Sequence, residues 1–255
     1  MNSNCWICGA PADSAEHRFK KSDLVRAHGR GPYKESTALS HIRAGKEVLV
    51  QGPNSKLLKY PPNLCQYCNS TITQPFDKAY ERFVDWILEN EADVLHRRFV
   101  NFQEIYGNCW ADAQLNLYKY FAKSFGCRLV DSGSSVPDDI VGLFGLNNFQ
   151  THLRLSMAVN EDVLLMPKKD RNGFVSKGDL FYVTPRSEPT LIESYIWNEA
   201  VSWLTVCYWY NYVPNGSFGS TWVADAQFIY FGSFYPLDED SRLDYIEKVK
   251  KRQNI

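Results

Sequence analysis

Cys5-Trp6-Ile7-Cys8 and Cys65-Gln66-Tyr67-Cys68, the second followed at once by Asn69, form two Cys-x-x-Cys pairs within the first seventy residues of a 255-residue chain. Between the pairs, turn signals recur: Gly9-Ala10-Pro11, Gly29-Arg30-Gly31-Pro32, Gly52-Pro53-Asn54 and Pro61-Pro62-Asn63. Two β candidates lie there, Glu47 to Gln51 and the stretch leading into Glu16-His17-Arg18-Phe19. Neither is long enough to fold alone, so the segment needs another source of folding energy. Four thiolates around one Zn²⁺, at Zn–S distances of about 2.3 Å, provide it. Each pair is followed by a small or turn-forming residue, Gly9 or Asn69, and a structural zinc at Cys5, Cys8, Cys65 and Cys68 is expected. Cys109, Cys127 and Cys207 lack this spacing and are expected in the core.

The whole chain is long enough to bury a core without disulfides. Its 44% hydrophobic and 22% charged residues, with no block of like charge, exclude a disordered or fibrous protein. No apolar run approaches the roughly 18 residues of a membrane span. The start, MNSNCWICGAP, lacks the basic and apolar regions of a signal peptide. A cytoplasmic protein with no membrane partner is expected, in a compartment that disfavours disulfides. The net charge of −1 hides an asymmetry, because residues 1–70 hold ten basic against five acidic residues and residues 131–255 hold eleven against sixteen. A basic first segment suits a polyanion.

From Gln74 the pattern turns helical, with Pro75 in the first turn and Tyr80, Phe83, Val84, Ile87 and Leu88 on one stripe. More helix is expected after Asp93, with Phe99, Phe102 and Ile105 on one face, and again from about Ala111 to Phe125, stopped by Gly126. Beyond it, Asp138 to Leu143 reads as a short helix. His152 to Val159, Val163 to Met166, Leu180 to Val183 and Phe228 to Phe231 read as strands, Asn172-Gly173 as a turn, Glu193 to Val206 as a helix and Glu247 to Arg252 as a charged helix end.

The order C-x2-C, Glu16-His17, C-x2-C-Asn69 and then a helix resembles the His-Me finger (ββα-metal, HNH) endonucleases, in their zinc-stabilised branch that includes phage endonuclease VII. The resemblance covers residues 5 to about 90. It implies His17 as general base, with Glu16 and Asn69 as ligands of a catalytic Mg²⁺ or Mn²⁺. The chemistry suits these residue types: an imidazole titrates near neutral pH, and hard oxygen donors hold an ion with open positions. Two departures from the family stand out, a Glu where Asp is common and 47 residues between His17 and Cys65. That long stretch carries Arg18, Lys20, Lys21, Arg26, Arg30 and Arg43, read as nucleic-acid contacts. His28 and His41 are read as phosphate contacts or surface; Gln74 and Asp77 either add to the metal site or cap the helix, the cap being the favoured reading for Asp77.

The expected class is α+β: an N-terminal zinc-stabilised ββα-metal domain (1–92), a helical connector (93–126) and an aromatic-rich α+β domain (127–255). For the aromatics of the last part, which include Trp197, Trp203, Tyr208, Trp222 and Tyr230, three readings stand: core and oligomer interface, a pocket for a flipped base or nucleotide signal, or a surface for a defence-system partner. The expected function is metal-dependent hydrolysis of DNA, RNA not being excluded, in restriction or anti-phage defence. The alternative is a catalytically inactive zinc-ribbon adaptor that binds nucleic acid or protein.

Overall fold

The computed structural model describes residues 4–34, 39–43, 46–145, 150–213 and 226–252, with the side chains of 40–43, 46, 249 and 252 outside that description. Arg43 and His41 therefore contribute backbone only, and Trp222 lies outside the described residues.

The N-terminal segment is held by short pairings rather than long strands. Helix α1 (Lys21–His28) and the antiparallel hairpin of β1 (Leu39–Arg43) and β2 (Lys46–Val50) stand out from it. Residues 14–18 run antiparallel to 58–64: Ser14 N–H donates to Leu64 (2.9 Å), Tyr60 N–H to Glu16 (2.9 Å) and Arg18 N–H to Leu58 (2.7 Å). Two small clusters of buried side chains support this segment. One gathers Leu24, Tyr33, Val50 and Leu58, and the other gathers Tyr60 and Leu64 with Cys5, Cys65, Cys68 and Cys127.

Helix α2 (Gln74–Glu89) forms where the apolar stripe is, burying Phe76, Ala79, Tyr80, Phe83, Val84 and Ile87. Then follow α3 (Glu91–Arg97), β3 (Phe99–Asn101), α4 (Phe102–Tyr106) and α5 (Trp110–Asp131). Phe99, Phe102 and Ile105 do not share a helical face. Arg98 turns left-handed (φ 58°), Phe99 pairs with Tyr230, and the Asn101 side chain starts α4 by accepting from Gln103 N–H at 3.0 Å. Gly126 does not stop α5, which runs five residues further. Its missing side chain admits Trp6 instead, because a Cβ there would stand 2.7 Å from the indole.

The rest of the chain supplies α6 (Asp138–Gly142), β4 (Leu153–Asn160), α7 (Glu161–Leu164), α8 (Lys168–Arg171), β5 (Val175–Lys177), β6 (Phe181–Val183), β7 (Ser194–Val201), β8 (Leu204–Asn211), β9 (Phe228–Phe234) and α9 (Glu239–Arg252). Two expectations are corrected. Val163–Met166 is no strand but the end of α7 and the turn after it, and the Asn160 side chain caps that helix by accepting from Val163 N–H at 3.1 Å. Glu193–Val206 is no helix but most of the β7–β8 hairpin, in which Tyr195, Trp197 and Glu199 are buried while Ser194, Ile196 and Asn198 are less so.

The main sheet has the order β3-β9-β4-β8-β7-β5, with β6 also on β7. It is mixed, β4 and β9 being parallel and the other pairs antiparallel. Helix α5 lies on the sheet through Phe125, stacked on Tyr208 with centroids 5.7 Å apart, and α2 packs on α5 through Tyr80 and Tyr120 at 3.9 Å. The protein is thus α+β. One buried cluster runs from Phe76 on α2 to Phe231 on β9, across the positions 92 and 126 expected as boundaries. Trp197, Trp203 and Tyr208 are fully buried in it, whereas Phe228, Tyr230 and Tyr235 are exposed. Among the described residues, no helix is long and apolar enough to cross a membrane.

Candidate metal centre and adjoining cleft

The Sγ atoms of Cys5, Cys8, Cys65 and Cys68 all lie within 4.8 Å of one another. A tetrahedron of sulfurs around one zinc has edges of about 3.8 Å, and the Cys8 and Cys65 sulfurs are 3.6 Å apart. The backbone shapes both pairs as knuckles. Gly9 (φ 76°) turns back so that its N–H reaches Cys5 O at 2.8 Å, and Cys68 N–H points at Cys65 Sγ at 3.4 Å. Four thiolates this close repel one another unless a cation is among them, and four soft sulfur donors suit zinc. The cluster fits a structural zinc site.

The other cysteines divide. Cys127 is a core residue whose thiol burial pushes up to about 12. Cys109 is exposed, in the turn before α5, and Cys207 is half-buried on β8. The expectation of a core position fails for Cys109 because the turn at Gly107 precedes the packed part of α5.

The second knuckle runs into one wide helical turn of π type, Cys68–Ile72, before α2 begins. Such turns often mark functional sites. Asn69 stands on it, tied by its N–H to Cys65 O (3.0 Å) and by its amide Nδ2 to Ser14 Oγ (2.9 Å). Ser14 lies two residues before Glu16 on the paired segment. The knuckle and the 14–18 ladder thus bring Glu16, His17 and Asn69 to the lining of one cleft of about 710 Å³, with Lys20, Lys21, Arg30, Asp77 and Glu81 also lining it. Three polar atoms of the lining residues are buried without a hydrogen-bond partner: His17 Nε2, Asn69 Oδ1 and the Ser22 hydroxyl. Burial, joined by the Lys59 charge, holds the His17 imidazole below its ordinary range, so the ring is neutral at neutral pH.

Sequence reasoning missed a buried cation here. Lys123, on α5 and 1% exposed, reaches Glu16 Oε2 at 3.3 Å and Asp77 Oδ1 at 3.0 Å. Burial alone would lower its pKa, but Glu16 and Asp77 outweigh burial and raise it. Asp77 also receives Lys20 Nζ at 2.8 Å, so its carboxylate is an ion-pair centre and not a helix cap. The one signal in the sequence was a lysine on the apolar stripe of α5, between Tyr120 and Cys127 at i−3 and i+4.

The basic residues expected at nucleic acid fall into two groups. Arg18 gives two parallel hydrogen bonds to Asp131 (2.7 Å each) and lies over the Tyr60 ring at 4.5 Å. Arg26 binds Asp23 (2.6 Å) and Asp85 (2.5 Å). In both, every guanidinium nitrogen is engaged within the chain, which takes them out of the set free to meet a phosphate. Lys20 lines the cleft but is committed to Asp77; Lys21 and Arg30 line it and are exposed. His28 is half-buried, with its ring against Gly173.

Compared with protein-family models, with curated proteins and with solved structures, the chain gave no match.

Proposed function

We propose that the protein is a cytoplasmic, metal-dependent endonuclease of the ββα-metal (HNH) kind that hydrolyses DNA, in restriction or anti-phage defence. The observation that carries this reading is the meeting of Glu16 and His17 with Asn69, 52 residues away, in one cleft where His17 Nε2 and Asn69 Oδ1 are buried and unpaired. A catalytic base needs a free nitrogen lone pair, and a hard metal ligand needs a free oxygen. These two orphans match both needs. Ser14 holds the amide nitrogen of Asn69, which leaves Oδ1 as the ligand end, and Glu16 keeps Oε1 free of hydrogen bonds among the described residues.

In this reading Glu16 and Asn69 would hold Mg²⁺ or Mn²⁺, which when bound would supply positive charge to offset that building on the phosphoryl group and the leaving 3′ oxygen. His17, neutral at neutral pH, accepts the proton of the attacking water as its oxygen bonds to phosphorus. Lys21 and Arg30 receive the flanking phosphates at the cleft rim. The zinc knuckles act at one remove, fixing the 14–18 ladder against the turn that carries Asn69.

The test is plasmid cleavage in Mg²⁺ or Mn²⁺ by wild type beside His17→Ala. The reading expects nicked or linear plasmid, and a loss of about 10²-fold or more in the variant. A zinc-loaded wild type that binds the plasmid yet leaves it intact with every divalent ion would instead make the chain an adaptor.

A further inference from the structure

The Lys123 ammonium has three N–H donors and three oxygens around it: Glu16 Oε2 (3.3 Å), Asp77 Oδ1 (3.0 Å) and Thr73 Oγ1 (3.4 Å). It also sits 5.8 Å from the centroid of Tyr120, a ring buttressed by its stack on Tyr80. The seat is complete: each of the three donors has an oxygen within reach. A buried ion pair of this kind is seldom retained for stability, since well-packed apolar residues of the same volume commonly do as well. Two carboxylates on one cleft wall would otherwise attract a cation between them.

We propose that Lys123 is a tethered cation of the cleft, occupying the place between Glu16 and Asp77 that a divalent ion would take, and thereby positioning Glu16 with one oxygen committed and one free. The inference rests on the nuclease reading of the same cleft. With Lys20 also on Asp77 (2.8 Å), that carboxylate is doubly neutralised while Lys123 is in place, and only the loss of Lys123 opens it to a metal ion. Glu16 is left as the carboxylate donor, with Asn69 beside it. Lys123 is a positioning residue: it does not line the cleft itself but acts from α5, buried behind it, through Glu16 and Asp77, which do.

The experiment counts Mn²⁺ bound to full-length, zinc-loaded protein, by electron paramagnetic resonance of free Mn²⁺ and by calorimetry, for wild type, Lys123→Ala and Lys123→Met. Wild type should bind one Mn²⁺. Lys123→Ala, which empties the seat, should bind a second between Glu16 and Asp77. Lys123→Met keeps the volume and folds without a buried charge; it should bind one Mn²⁺ at least tenfold more tightly, because the competing positive charge is gone. If wild type already binds two ions, or if neither variant changes number or affinity, Lys123 is no stand-in cation and the proposal is overturned. If wild type binds no Mn²⁺ apart from its zinc, the nuclease reading itself fails, a distinct result.

Discussion

Trp6 rests on Gly126 so closely that a Cβ at residue 126 would stand 2.7 Å from the indole Cζ2 and Cη2. The contact joins the first cysteine pair to the middle of α5, and Trp6 continues into the core by an edge-on contact with Phe144 at 5.2 Å. In an unencumbered helix, Gly126→Ala would stabilise by about 1 kcal/mol. Here overpacking outweighs propensity, and a net loss of about 1–3 kcal/mol is expected in urea denaturation. Pairing it with Trp6→Leu should recover part of that loss relative to the sum of the single changes. A Gly126→Ala protein more stable than wild type would show that Trp6 is not seated there.

What the sequence reveals tracks the distance over which each feature is specified. The two knuckles are local, four residues each, and α2 displays its buried stripe against a polar opposite face. Both were readable. The β7–β8 hairpin was not, because Glu199, Ala200 and Val201 are all buried and the period-two signal is lost where both faces of the sheet are covered. Gly126 reads as a stop from its own conformational freedom, whereas its role comes from a residue 120 positions earlier. Likewise Lys123 and Glu16 are 107 residues apart and Arg18 and Asp131 are 113 apart, so nothing in the local pattern marks either pair.

Zinc at the four cysteines predicts a pattern of thiol reactivity as well as a metal content of about one per chain. Cys8 and Cys109 are both exposed. In the zinc-loaded protein only Cys109 should alkylate rapidly, since Cys8 is then a metal-bound thiolate, while burial holds the Cys207 thiol up at about 11 and slows it. Chelation should release four more reactive thiols and lower the melting temperature. Peptide mapping after brief alkylation reads this out, and rapid labelling of Cys8 in untreated, metal-replete protein would remove the zinc assignment.

The two classes of basic residue should separate in measurement. Arg18→Ala strips the two short hydrogen bonds from a largely buried Asp131 carboxylate and leaves it only Arg128 at 3.4 Å, and a cost of about 2–4 kcal/mol in stability is expected. Lys21→Ala and Arg30→Ala should each leave stability within about 0.5 kcal/mol of wild type. They should instead weaken DNA binding and flatten the dependence of log K on log salt, by about one unit of slope for each phosphate that is no longer neutralised. Binding titrations at three salt concentrations, beside urea curves, test both halves. An Arg18→Ala protein of full stability and reduced DNA affinity would return Arg18 to the nucleic-acid face.

His28 should leave a mark on the acid side of the stability profile. Burial lowers its pKa, with a hydrogen bond to the Gly173 backbone opposing that effect only in part, and its ring lies against Gly173, 3.4 Å from where a Cβ would be. Because the folded-state value lies below the unfolded one near 6.5, the folded chain binds the proton less well than the unfolded chain does. The stability contributed by neutral His28 is therefore complete above the unfolded value and is lost as pH falls through the folded value. In His28→Gln this term is absent. The difference in unfolding free energy between wild type and variant should therefore shrink between pH 7.5 and pH 5, as followed by urea denaturation at both. A difference that stays constant on acidification would show that burial leaves His28 unperturbed, and one that widens would show that the folded protein holds the proton more tightly, with His28 bonded to Gly173 as a cation.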